Sequence, residues 1–375
     1  MVAPSVTVLM TVYNGSKYLK DSVKSILNQT FRDFELLIVD DASTDDSLKM
    51  IQSYGDPRIV VHSNAVNLGQ TKSLNVGLSL ARGKYIARMD ADDLAFPAWL
   101  ESQSKFMDRH PQYAVASTKA AVIDSQNRIV RVLRTPASSG NIVLRSLTAS
   151  PINHVGSLMR KEIVLDHGGY NERLTVPADY DLWSRLIRKG HRLSSTQAIL
   201  IAIRFHEKSL SIQERGERDI GEMSEIMFEN IKELTTFPVQ KDDMPLYWRV
   251  NYHVECLDQA QFQHAVEMLD HVYQSIKPEI GIDRPSIDAA RRKQMKVIYM
   301  KKIFACVKDG DVKGVRLISG NYLRRHGWLT VFSLVWVTSF FGMIILRILP
   351  AIYEKILRVG TKVVLKNKTG PVYLH

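Results

Sequence analysis

Cysteine is almost absent from this chain of 375 residues, with Cys256 and Cys306 its only two. Two distant thiols build no disulfide framework and lack metal-ligand spacing, which points to a reducing compartment. No secretory leader is expected, since Pro4 and Ser5 run straight into the strand-like Val6–Val12. The first domain is therefore expected to remain in the cytosol. No Gly-x-Gly-x-x-Gly turn follows that strand, where Tyr13-Asn14-Gly15-Ser16 stands instead. This excludes a dinucleotide-dependent oxidoreductase. The Walker phosphate loop is missing too, because Gly69 is followed by Gln70-Thr71-Lys72 without a Gly-Lys-Ser/Thr ending. Acid is scarce near the carboxyl end: residues 320–375 hold eight Lys or Arg and one acid, Glu354. The chain's net charge of +11 is thus concentrated there. It surrounds an apolar run, a pairing that suits an anionic membrane surface and argues against nucleic acid.

What is present begins with Asp90-Ala91-Asp92-Asp93, three acids in four positions at the end of the strand-like Tyr85–Met89. Carboxylates gathered at a strand end are costly unless they bind something positive. A divalent cation that also holds a phosphate is the common solution, because Mg²⁺ and Mn²⁺ favour oxygen ligands.

The first 90 residues alternate strand and helix. Val6–Val12, Phe34–Val39, Ile59–Val61 and Tyr85–Met89 read as strands. Leu19, Val23, Ile26 and Leu27 repeat at helical spacing, Ser43 is placed to cap a helix carrying Leu48 and Ile51, and a further helix covers Leu74–Ala81. This alternation predicts an α/β fold with a mainly parallel nucleotide-binding sheet, whose ligands sit beyond the carboxyl ends of the strands. Asp40/Asp41 and Asp90/Asp92 lie at such ends and can converge. Residues 97–205 look mixed, with extended stretches at Ile129–Leu133 and Ala198–Phe205.

The length suggests more than one domain. The expected division is a catalytic domain over 1–210, a helical region over 211–327, and a membrane-associating segment over 328–375. Within the last, Trp328–Leu346 is 19 residues without a charge, long enough to cross a bilayer. Beyond Pro350, Ile352, Ile356, Val359 and Val363 line one face of a basic amphipathic helix bearing Lys355, Arg358, Lys362 and Lys366. A single crossing would put these charges outside, so a re-entrant or in-plane anchor is expected rather than a span.

The motifs Thr11-Val12-Tyr13-Asn14, Val39-Asp40-Asp41-Ala42-Ser43-Thr44-Asp45, Asn67-x-Gly69, Asn75-x-Gly77, Ala81-Arg82-Gly83 and Asp90-Ala91-Asp92-Asp93 come in a characteristic order. Over roughly residues 4–210 the chain resembles family 2 inverting glycosyltransferases of the bacterial surface-glycan type. The resemblance implies the type A glycosyltransferase fold, a nucleotide-sugar donor, and Mn²⁺ or Mg²⁺. Carried over by position, it places Thr11 and Tyr13 beside the base and Asp41 as acceptor of the uracil N3–H. It also places Asp90 at the ribose, Asp92 on the metal, and Lys72 near the nucleotide. His206, after the late strand, matches an additional metal or diphosphate contact.

A second element resembling the family is Gly168-Gly169-Tyr170-Asn171-Glu172, followed by Ala178-Asp179-Tyr180-Asp181-Leu182-Trp183. Asp179 matches the general base. Ala178 stands where the family commonly has Glu, which leaves Asp181 a less certain second carboxylate. Inversion needs one base for the acceptor hydroxyl proton and charge stabilisation for the leaving diphosphate. Asn153-His154 is a candidate for the acceptor side.

The expected activity is single addition of a sugar from a UDP-sugar to a lipid-linked or glycan acceptor, at the cytoplasmic face of a bacterial inner membrane. A processive synthase is the rival within the class, but its Gln-x-x-Arg-Trp motif is missing: Gln213-Glu214-Arg215-Gly216 does not match. A non-catalytic membrane adaptor with a transferase fold is the other alternative, opposed by the presence of Asp90, Asp92 and Asp179.

Overall fold

The computed structural model describes residues 3–174, 176–206 and 217–326. It divides into two compact units. The first comprises residues 1–244 with 276–282, and the second residues 245–275 with 283–375.

The first unit is built on β1 (Val6–Val12), β2 (Phe34–Asp40), β3 (Ile59–Ser63) and β4 (Tyr85–Asp90), all mutually parallel in the order β3-β2-β1-β4. Every position of β1 and of β2 is buried, which is why both read as continuous apolar runs rather than as alternating ones. The intervening helices are α1 (Ser16–Leu27), α2 (Ser47–Gln52) and α3 (Gln70–Leu80). α1 places Leu19, Val23 and Ile26 against Val8, Met10 and Leu36 of the sheet in one core. Each such side chain contributes about 1.5–3 kcal/mol by leaving water.

Beyond β4 the expectation of a mainly parallel sheet fails. β8 (Leu158–Arg160) pairs antiparallel with β4 and with β6 (Tyr113–Ile123), and β7 (Ile129–Leu133) pairs antiparallel with β6. β9 (Arg192–Arg204) runs parallel to β6, and β5 (Leu94–Ala95) closes the order antiparallel to β9. The result is a mixed nine-stranded sheet. Only the β6–β7 connection, residues 124–128, is too short for a crossover helix and so forces a reversal. The late strand begins at Arg192, six residues earlier than the apolar pattern suggests. α3 likewise starts at Gln70, ahead of its apolar repeat. Ser43 caps no helix: α2 begins after Asp46, and Ser43 Oγ instead accepts from Asn14 N at 3.0 Å.

Helices α4 (Trp99–Arg109), α5 (Ser139–Ser146), α6 (Lys161–Asp166), α7 (Ala178–Arg188) and α8 (Glu217–Leu234) complete the first unit. Residues 245–326 are helical as expected, chiefly α10 (Gln259–Gln274), α11 (Arg284–Lys308) and α12 (Val312–His326), after the short α9 (Met244–Tyr252) that begins at the division. Asp258 closes a capping box with Gln261 at the start of α10, and Asp283 caps α11. Trp328–Leu346 and the basic helix after Pro350 lie outside the described residues. Among those described, no helix is long and apolar enough to cross a membrane.

Candidate active site

The parallel register aligns the strand ends. Thr11 is paired with Val39 and Asp90, and Val12 with Asp40, so the residues that follow β1, β2 and β4 share one edge. Asn14, at φ 51°, ties the first two together: its Oδ1 accepts from Thr44 N at 2.8 Å and Asp45 N at 3.2 Å. Asn is among the few residues that tolerate this left-handed backbone. Ala42 has no such excuse at φ 59°, a cost of about 1–3 kcal/mol that marks the turn carrying Asp41 as constrained.

Asp41 is buried and faces inward along this edge. Its Oδ1 accepts from Asn64 Nδ2 at 2.7 Å and Leu68 N at 2.8 Å, while Oδ2 accepts from Gly69 N at 2.9 Å. It thereby fixes the loop that opens α3, and of roughly four lone-pair directions one on Oδ2 stays uncommitted. Thr11 is buried within β1, whereas Tyr13 on the following turn is 52% exposed. Lys72 is exposed on α3 and makes no ion pair among the described residues.

Asp90, Asp92 and Asp93 present carboxylate oxygens within 4.8 Å of one another. Each is held by a different partner. The wholly buried Arg88 contacts Asp90, which Gln70 Nε2 also approaches at 3.4 Å. His206 Nε2 lies 2.9 Å from Asp92 Oδ2, and Arg204 N donates to Asp93 Oδ1 at 2.7 Å. Arg204 Nε reaches the Asp92 carbonyl at 2.9 Å, with its guanidinium over the Tyr18 ring. The Tyr18 ring in turn packs against His206, centroids 5.2 Å apart. Burial, and then the charge of Asp90, push the Asp92 carboxyl above its usual range, against the pull of His206. Asp93 is driven well above it by burial and by Asp92 and Asp90. The cluster is short of positive charge, and its hard oxygen donors beside an imidazole fit Mn²⁺ or Mg²⁺. Asp92 and His206 would hold such an ion; Asp93, 2% exposed, faces the fold.

Asp179 stands in the first turn of α7, half-buried. Burial lifts its carboxyl to about 6, opposed by a hydrogen bond from Ser150 Oγ at 3.0 Å. The charge of Asp90 adds to the rise, so the two carboxyls share one electrostatic environment. Asp181 is engaged elsewhere. Its Oδ2 accepts from Arg185 Nε at 2.7 Å, and Arg185 also donates to the carbonyls of His167 and Gly169. That arrangement braces the Gly168-Gly169-Tyr170 turn. Gly169, at φ 62°, leaves room for Asn75 Oδ1, which a Cβ there would approach to 2.7 Å. Asn75 clamps the turn by accepting from Tyr170 N and donating to Tyr170 O, at 2.9 and 2.8 Å.

His154 Nε2 meets the Tyr170 hydroxyl at 2.7 Å. Burial, then the nearby Arg88, holds this imidazole well below its ordinary value and therefore neutral. Asn153 clamps its loop to β6 through Thr118 O at 2.9 Å and Ser117 Oγ at 2.8 Å. The structure thus gathers Asp90, Asp92 and His206 with Asp179 nearby, and keeps Asp181 as a brace. Arg88, Arg204, Asp93 and Ser150 carry parts of the site that the motifs left without a role. One of them, Arg88, had a signal, a charge inside a run of otherwise apolar strand residues.

A mixed sheet with a parallel half and an acidic strand end is the arrangement of the type A glycosyltransferase fold. TarS of S. aureus, crystallised with UDP-GlcNAc, has the same fold, with a TM-score of 0.55 at 19% identity over 86% of this chain and 93% of that one. The model of glycosyl transferase family 2 matches residues 7–168. An uncharacterized glycosyltransferase of Haemophilus influenzae is 31% identical over 219 residues, 56% of this chain and 68% of that protein. The amylovoran biosynthesis glycosyltransferase AmsE of Erwinia amylovora is 30% identical over 203 residues, 53% of this chain and 75% of its own. The chain belongs to glycosyl transferase family 2.

Proposed function

We propose that this enzyme transfers a single sugar from a UDP-sugar, with inversion, to a hydroxyl of a lipid-linked or glycan acceptor in surface-polysaccharide assembly at the cytoplasmic face of a bacterial inner membrane. The observation that carries the reading is Asp179: a half-buried carboxyl, lifted to about 6, beside the Asp90 cluster. A base of that strength is ionised at neutral pH yet accepts a proton readily. Its carboxylate takes the acceptor hydroxyl proton as that oxygen attacks the anomeric carbon from the face opposite the diphosphate. The carbon–oxygen bond to UDP breaks with its electron pair leaving on the diphosphate. Asp92 and His206 would hold Mn²⁺ or Mg²⁺, which would supply charge neutralisation to that leaving group. Tyr13 offers an exposed ring to the base, Thr11 borders it, and Asp90 meets the ribose. Asp41 offers its remaining lone pair to uracil N3–H, and Lys72 lies on the nucleotide side. TarS, captured with UDP-GlcNAc, and AmsE, named for amylovoran biosynthesis, support the donor class and the pathway type.

The test is UDP release from a panel of nucleotide sugars with Mn²⁺. One UDP-sugar should turn over, with loss in excess EDTA and in Asp92→Asn. Asp179→Asn should bind UDP as the native protein does while kcat falls by at least about a hundredfold. Full turnover with EDTA present overturns the metal assignment. Retained transfer in Asp179→Asn, with loss in Asp181→Asn, reverses the choice of base.

A further inference from the structure

Asp179 is aimed by a loop that no motif marks. We propose that Ser150 is the positioning residue of this enzyme, holding the Asp179 carboxylate in the orientation from which it receives the acceptor proton. The inference rests on Asp179 being the base.

The geometry is over-determined around that one contact. Ser150 Oγ lies 3.0 Å from Asp179 Oδ2 and 3.4 Å from the Ile152 carbonyl, so its single proton has the carboxylate as the nearer acceptor. Its own carbonyl is fixed by Arg145 Nε at 3.1 Å. The neighbouring Tyr180 hydroxyl donates to Ser146 O at 2.5 Å, docking the start of α7 on the end of α5. Asn230 of α8, wholly buried, repeats that docking with donations to Ser146 O and Ser184 Oγ, both at 2.8 Å. Its Oδ1 accepts from Arg188 Nη1 at 2.7 Å, so a helix beyond the span of the family model secures the helix that carries the base. Two backbones are held rigid, and Ser150 bridges them at the reacting group.

The charge that acts on Asp179 is the Asp90 carboxylate at the end of β4, and Asp179 in turn acts on the Tyr170 phenol. Beside the backbone N–H groups of Asp179 and Tyr180, the Ser150 hydroxyl is the side-chain group, among the described residues, that favours the ionised form. Without it the carboxylate would both swing and protonate more readily.

The experiment reads the carboxyl directly. In full-length protein carrying ¹³C at Asp side-chain carboxyls, the resonance missing from Asp179→Asn belongs to Asp179. In native protein it should titrate near 6. In Ser150→Ala it should titrate about one pH unit higher, because a hydrogen bond to a charged group is lost. Ser150→Thr, which keeps the hydroxyl, should restore the native value. The acid limb of UDP release from the active UDP-sugar should move alike, with kcat down roughly threefold at pH 6.5 and KM for donor unchanged. An unmoved resonance in Ser150→Ala, whatever its activity, overturns the proposal. A moved resonance together with full activity in Asp179→Asn overturns the base assignment, while leaving the Ser150 contact standing.

Discussion

A half-buried carboxyl whose pKa is lifted to about 6 destabilises the fold at neutral pH. The unfolded chain releases that proton near 3.8, so the folded state binds it more tightly. The contribution of Asp179 to stability is therefore most favourable below pH 4, falls as pH rises towards 6, and stays low above it. Asp179→Asn should be more stable than native protein by on the order of 2 kcal/mol at pH 8, with the difference vanishing near pH 3.5. Urea unfolding at the two pH values checks this, and equal stability at pH 8 would mean that the carboxyl is not strained. The same burial that fits Asp179 to its proposed role as base thus costs the fold stability. Ser150 left no trace in the sequence because a loop serine is common and its partner is 29 residues away. Arg88 did leave one, standing in the buried stretch Tyr85–Met89 of a strand otherwise apolar there.

At the level of elements, the parallel half of the sheet was legible because β1, β2 and β4 are buried on both faces and its helices repeat apolar residues at fixed spacing. The second half was not. β5 and β8 have two and three residues, too few for any period to show. The first part of β9 is polar: Ser194 and Ser195 are buried, with Ser195 Oγ 2.5 Å from Thr135 Oγ1, so hydrogen bonding replaces the apolar signal. Helix starts were misjudged where caps do not follow composition, as at Ser43. The motif Asn75-x-Gly77 has a packing cause as well. A Cβ on Gly77 would come within 2.2 Å of Leu9 Cδ1, in the fully buried β1. Gly77→Ala should destabilise the protein by about 1–2 kcal/mol, since overpacking outweighs the gain in helix propensity. Gly221 of α8 has nothing within 4 Å, and Gly221→Ala should stabilise by about 0.5–1 kcal/mol. Denaturant unfolding of the two variants reads opposite signs if contact geometry, not helix propensity, decides.

For the whole molecule, we propose that the charge pattern brings it to a membrane surface. Eight Lys or Arg and one acid in residues 320–375 flank the apolar Trp328–Leu346. Each basic side chain near an anionic bilayer adds about 1 kcal/mol of attraction, which salt weakens. Full-length protein should sediment with phosphatidylglycerol vesicles at low salt. A chain ended after His326 should stay in the supernatant and still release UDP from its donor. Full-length protein that remains in the supernatant would exclude the membrane anchor. The bridge from Asn14 to Thr44 and Asp45 has a kinetic meaning for the same molecule. Two loops that already hold each other have no slow rearrangement to complete before a nucleotide arrives. Donor association should therefore follow a single exponential whose rate climbs in proportion to concentration, without the plateau that a gating step imposes.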